Sequence, residues 1–142
     1  ETTEMGAADL YYYDGVGLKE ATGRGNKRPG NDETTVGKLV SAENADGKST
    51  FVFIRDLDTG NSDDYKFEIG AEVKALWAYG ANDAPFGYHG KSQRGFTTFV
   101  LEENFESTGS KTLAPDVKLS WRVYNHPKHI VFELAVPSLG WV

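Results

Sequence analysis

The chain has no cysteine. That absence excludes disulfides, thiolate metal centres and covalent c-type attachment of a haem. Methionine occurs once, as Met5, and proline only five times. No apolar run approaches the roughly 18–20 residues of a membrane-crossing helix. Basic residues are outnumbered, 15 Lys and Arg against 21 Asp and Glu, giving a net charge of −6. That balance argues against nucleic acid or an anionic membrane as the main partner. No stretch reads as a signal peptide, as expected of a cytosolic protein or of an excised mature domain. Gly-x-Ser-x-Gly, His-Glu-x-x-His and phosphate-loop motifs are all missing, so no hydrolytic or nucleotide-binding constellation is visible.

Aromatic residues, by contrast, reach 13%. That suits strands, or the walls of a pocket for a flat ligand. The 142 residues fit a single domain, 1–142, with one hydrophobic core. Segments with strand character dominate. Ala8 to Tyr13 is aromatic-rich and stops at Asp14-Gly15. Gly37 to Ala42 and Ser49 to Arg55 flank Asp46-Gly47, a type I′ hairpin signal. Tyr65 to Ile69 alternates with period two, and Glu72 to Tyr79 and Phe96 to Glu102 follow. Val117 to Tyr124 and His129 to Val136 close the series, joined by Asn125-His126-Pro127-Lys128. Many short strands between turns predict an all-β antiparallel sandwich or barrel. Two long loops stand out, Gly23 to Asp32 and Gly80 to Gly95, and long loops in compact domains tend to carry function.

Met5 and His89 are the candidate metal ligands. A lone methionine is usually a core side chain, and a histidine in a Gly-rich loop is usually exposed. Brought together, a thioether and an imidazole bind a haem iron from its two faces. Trp77, Tyr79, Phe86 and Tyr88 are candidate walls for the porphyrin, with plain core packing the alternative for Trp77 and Tyr79. Arg94 is the candidate propionate partner, ahead of Arg24, Lys27 and Arg28. Asp83 or a loop carbonyl could fix the second imidazole nitrogen. His126 and His129 straddle a turn and lack a third ligand, so a turn is the preferred interpretation. Asp56, Asp58, Asp63 and Asp64 lack the EF-hand pattern and read as a solvated loop.

Several motifs together resemble the DOMON family of β-sandwiches, which includes b-type cytochrome modules and sugar-binding relatives. They are Met5-Gly6-Ala7-Ala8-Asp9, Ala21-Thr22-Gly23, Arg28-Pro29 with Asp32, Leu57-Asp58-Thr59-Gly60, Trp77-Ala78-Tyr79-Gly80, and His89-Gly90 with Arg94-Gly95. In the family, strands like Leu119-Ser120-Trp121 and Ile130 to Leu134, then Gly140-Trp141-Val142, come before the Met motif. Here they come last, so the order is circularly permuted, and Gly140 to Val142 is expected to lie near the segment leading into Met5. Ser107 to Pro115 is expected to be the polar, flexible linker joining the old ends.

The resemblance implies a non-covalent haem b held by Met5 and His89. It also implies electron transfer to a redox partner, an oxidoreductase or a membrane cytochrome, in a secreted, extracellular or periplasmic setting. Such a domain would be an electron carrier rather than an enzyme. The alternative is a haem-free module that binds sugars or small ligands, with Tyr11, Tyr12 and Tyr13 stacking on the ligand. A purely structural interaction domain is the third option.

Overall fold

A computed structural model describes residues 6–24, 27–31, 37–80, 89, 92–102, 106–125 and 128–137. These residues contain no helix; they form ten antiparallel strands in three sheets. The strands are β1 (Gly6–Tyr13), β2 (Leu18–Arg24), β3 (Lys27–Asn31), β4 (Lys38–Ala45) and β5 (Lys48–Asp56). They continue as β6 (Glu72–Ala78), β7 (Arg94–Val100), β8 (Glu106–Ala114), β9 (Val117–Asn125) and β10 (Lys128–Val136). One sheet has the order β4-β5-β10-β9-β8, a second is β1-β2-β3, and a third is the ribbon β6-β7. The all-β expectation is met. Among the described residues, no helix is long and apolar enough to cross a membrane.

Alternation along β5 explains how the layers form. Ser49, Phe51, Phe53 and Arg55 are buried, while their neighbours face outward. Phe53 pairs with Phe132 on β10, and Phe132 pairs with Trp121 on β9, so the three share one face of the large sheet. Both smaller sheets cover that face. Tyr11 of β1 stacks on Phe53, with ring centroids 5.0 Å apart, and Phe99 of β7 stacks on Trp121 at 4.3 Å. The result is a sandwich-like arrangement with one continuous core running from Phe51 and Phe53 through Phe132 to Val73 and Phe99.

The β4–β5 turn is as the sequence predicts: Asp46 and Gly47 both have positive φ, 54° and 75°. Other expectations are corrected. Ser107 to Pro115 is no linker; Ser107 to Ala114 belongs to β8, paired along its length with β9. An edge strand needs one hydrogen-bonded neighbour and little apolar surface, so its polar composition concealed it. Much of the Gly23 to Asp32 loop is also strand, at the end of β2 and in β3. Pro29 is tolerated because β3 pairs on one side only, with β2. Tyr65 to Ile69 joins no ladder; Phe67 N–H instead donates to the Leu57 carbonyl at 2.9 Å. The other edge of the large sheet, β4, carries an irregularity between Leu39 and Ser41 that disrupts it as a template for further pairing.

Two tryptophans lie across glycines on the neighbouring strand. Trp77 pairs with Gly95 and Trp121 with Gly109. A Cβ at Gly95 would fall 2.8 Å from the Trp77 ring, and one at Gly109 would intrude still further into that of Trp121. Trp121 cannot swing aside freely, because Phe99 stacks on it. Gly109→Ala should therefore destabilise the domain by about 1–3 kcal/mol through overpacking. Urea unfolding measures it, and an unchanged midpoint would refute this packing.

Candidate functional site

The β6-β7 ribbon positions the aromatic candidates. Val73, Ala75 and Trp77 alternate inward along β6, and Tyr79 continues the same face just beyond it. Trp77 and Tyr79 lie nearly parallel, 6.3 Å between centroids and 11° between planes. Tyr79 N–H donates to the Gln93 carbonyl at 3.0 Å, which closes the ribbon at this end. The segment between them includes His89, which is half-buried. Trp77, Tyr79 and His89 therefore belong to one end of one ribbon. Arg94 does not share the tryptophan face. It pairs with Ala78, one position out of step with the Trp77–Gly95 pair, and is exposed. Met5, Asp83, Phe86, Tyr88 and Gly140 to Val142 lie outside the described residues, as do the side chains of Arg24, Lys27 and Arg28.

None of the three tyrosines considered for sugar stacking in the alternative reading is fully exposed. Tyr12 is buried, and Tyr11 and Tyr13 lay their half-buried rings on Phe53 and Phe51. Their apolar bodies gain more from the core than from solvent. His129 is a strand residue of β10 stacked on Tyr124 at 4.7 Å; His126 lies outside the described residues.

A polar cluster that the sequence reasoning missed sits between β1, β2, β5 and the 57–71 segment. Its centre is Arg55, whose side chain is fully buried. Arg55 Nη1 donates to Asp9 Oδ2 at 2.8 Å and to the Tyr11 hydroxyl at 2.9 Å. Nη2 donates to the Tyr65 carbonyl at 2.6 Å, and Nε to the Asp56 carbonyl at 2.9 Å. Phe67 and Tyr11 lie against the guanidinium at 4.9 and 5.5 Å from its carbon. Asp9 Oδ2 also accepts from Tyr65 N–H at 2.9 Å. The Tyr11 hydroxyl has one proton, and Glu20 Oε1 at 3.1 Å is a nearer acceptor than Asp9 at 3.4 Å. Carboxylate oxygens of Asp9, Glu20 and Asp64 lie within 4.8 Å of one another. Arg55 already supplies positive charge to this group. A signal did exist: in Phe51-x-Phe53-x-Arg55 the cation falls on the inward positions, and a buried cation needs a carboxylate partner. Asp58 and Asp63 are exposed loop residues, and Asp58 pairs with Lys66 at 3.3 Å.

Burial pushes the Asp9 pKa above its ordinary value of 3.8, and the Tyr65 N–H and Arg55 only partly offset this. Burial likewise pushes the Tyr11 phenol up, so it stays a proton donor. The folded chain thus holds the Asp9 proton more tightly than the unfolded chain. Its contribution to stability is full below 3.8 and is lost as pH climbs through the raised native pKa. Asn at this position does not titrate. The stability of the unaltered protein relative to Asp9→Asn should therefore decline as pH rises above 3.8 and then level off. Thermal midpoints of both proteins across the acid range test this, and a difference that grows with pH would contradict it. No family model, curated protein or solved structure matches this chain.

Proposed function

We propose that the domain binds one haem b non-covalently and carries single electrons, with Met5 and His89 as the iron ligands. The observation that supports this best is the Trp77–Tyr79 stack, which leads directly into the segment bearing a half-buried His89. A porphyrin is flat and apolar, and two near-parallel rings on one face suit its plane. His89 precedes Gln93 by four residues, so it lies within about 14 Å of the hydrogen bond that closes the ribbon. Without cysteine, the group must be held by coordination, packing and hydrogen bonds alone. These residue types fit the group.

Bound in this way, haem supplies one-electron exchange at its iron. His89 would hold the iron through one ring nitrogen, and its other ring nitrogen would need a partner that fixes the ring. Trp77 and Tyr79 shield the porphyrin from water. Two protein ligands leave no position for substrate, which favours a carrier over an enzyme. The partner would be an oxidoreductase or a membrane cytochrome, docking through a small transient interface in an extracellular or periplasmic setting. Titrating haemin into the purified protein tests the binding. Tryptophan emission should quench with a sharp break at one equivalent, because Trp77 lies at the site. A shallow, non-saturating loss of emission would refute it.

A further inference from the structure

We propose that the outer face of the β6-β7 ribbon docks the redox partner, and that the partner meets it with an apolar spot set among carboxylates. That the partner is a redox protein rests on the haem assignment above; the chemistry of the face does not. Val73, Ala75 and Trp77 of β6 and Phe99 of β7 belong to the core, so the residues between them face away from it. Pairing sets those outer residues in four rows: Glu72 with Val100, Lys74 with Thr98, Leu76 with Phe96, and Ala78 with Arg94. Phe96 is 61% exposed, Val100 47% and Leu76 41%. Leu76 and Phe96 stand directly opposite each other, so they form one apolar spot rather than scattered single side chains.

Cations frame that spot. Lys74 lies one row to one side of it and Arg94 one row to the other, both exposed. Lys111 reaches across from β8 and donates to the Thr98 carbonyl at 2.8 Å, which brings a third ammonium to the margin. Glu72 stands in the row farthest from Arg94, and Glu102 follows the same end of β7. On a chain of net charge −6, the Lys74–Arg94 end is a basic island. An acidic partner is repelled by the chain as a whole and attracted here, which selects one orientation. That orientation suits electron transfer. Leu76 adjoins Trp77 in sequence, and Gly95, next to Phe96, lies beneath the Trp77 ring. A partner seated on the spot is one strand's thickness from the Trp77–Tyr79 stack. Strand rise and spacing make the face about 23 Å by 10 Å. That is well short of the roughly 800 Å² per partner of a standard stable interface, and suits a brief encounter better than a permanent dimer.

The probe is an acidic blue-copper protein, reduced and diamagnetic for NMR, oxidised for kinetics. Two double variants alter the face. Lys74→Glu with Arg94→Glu reverses its charge. Leu76→Thr with Phe96→Thr removes the apolar spot but keeps residues suited to strands. Lys48→Glu with Lys118→Glu, both exposed on the large sheet, makes the same charge change elsewhere. Added to the protein as purified, the reduced probe should shift the amide signals of residues 72–78 and 94–100 selectively. Both face variants should lose those shifts, and the large-sheet control should keep them. In haem-loaded protein, electron transfer to the oxidised probe should be about tenfold or more slower in the charge-reversed face than in the control, the loss of local electrostatic steering. Absent or scattered shifts, or equal losses in the control, overturn the docking face. Selective shifts with an unchanged transfer rate overturn it as the route of electron transfer. A dimer that dissociates in Leu76→Thr with Phe96→Thr, seen by sedimentation, makes a second copy the occupant and overturns the acidic partner. The charge-reversed variant keeps the Leu76–Phe96 pair, so it carries the test if the apolar variant unfolds. No Soret band in the unaltered protein overturns the haem assignment alone; the amide shifts still decide whether this face binds an acidic protein.

Discussion

Arg55→Met is expected to destabilise the domain by about 3–5 kcal/mol, a large share of the roughly 5–15 kcal/mol that holds a typical domain together. Methionine fills much of the space but supplies no donor. Asp9 would keep a buried carboxyl with its cation gone, and the Tyr65 and Asp56 carbonyls and Tyr11 hydroxyl would each lose a partner. Removing one member of a buried pair costs far more than replacing both, because the remaining charge stays desolvated. The exposed pair Lys66–Asp58 provides the contrast, with side chains 61% and 56% accessible. Screening and side-chain entropy leave such a pair with little net effect. Urea unfolding measures the change in Arg55→Met; a loss below about 1 kcal/mol, the range of surface pairs, would mean that Arg55 is not a central tie.

His89→Ala is expected to weaken haem binding by more than about a hundredfold, beyond what changes next to a metal's ligands produce. In the proposed site, methyl would replace the imidazole donor and expose the iron to water. Trp77 and Tyr79 pack against the core formed by residues of all three sheets, so the sheets should remain. Circular dichroism and haem-transfer kinetics separate the two effects. Loss of the fold together with haem would make His89 a structural residue, and unchanged haem retention would remove it as a ligand.

The sandwich was legible where alternation was strong and chemistry unambiguous. Asp46-Gly47 announced the β4–β5 hairpin, and the period-two runs of β9 and β10 announced the centre of the large sheet. The edges were hidden. β8 reads Glu-Ser-Thr-Gly-Ser-Lys-Thr-Leu-Ala, and its contribution to packing is partly a missing side chain, the glycine beneath Trp121. Absence of a side chain leaves no hydrophobic signal. Tyr65 to Ile69 misled in the opposite way: it alternates, but Arg55 occupies the Tyr65 carbonyl and Leu57 accepts from Phe67 N–H.

The shared face of Trp77 and Tyr79 was legible because residues two apart on a strand point the same way. Arg94, paired with Ala78, is on the opposite face of the ribbon from Trp77, a register that the sequence does not encode locally. Asp9 was visible as part of a motif, and Arg55 as an inward cation. Their meeting depended on how β1 packs over β5, a contact between residues 46 positions apart that no local pattern encodes.

The absorption spectrum of protein expressed with haem available, oxidised and then reduced, tests the haem assignment most directly. A one-to-one Soret band, low-spin in both states and unaffected by carbon monoxide, is the expected result. It would mean that two protein side chains hold the iron and keep small ligands away. Colourless protein, or a high-spin spectrum that changes readily with carbon monoxide, would contradict it.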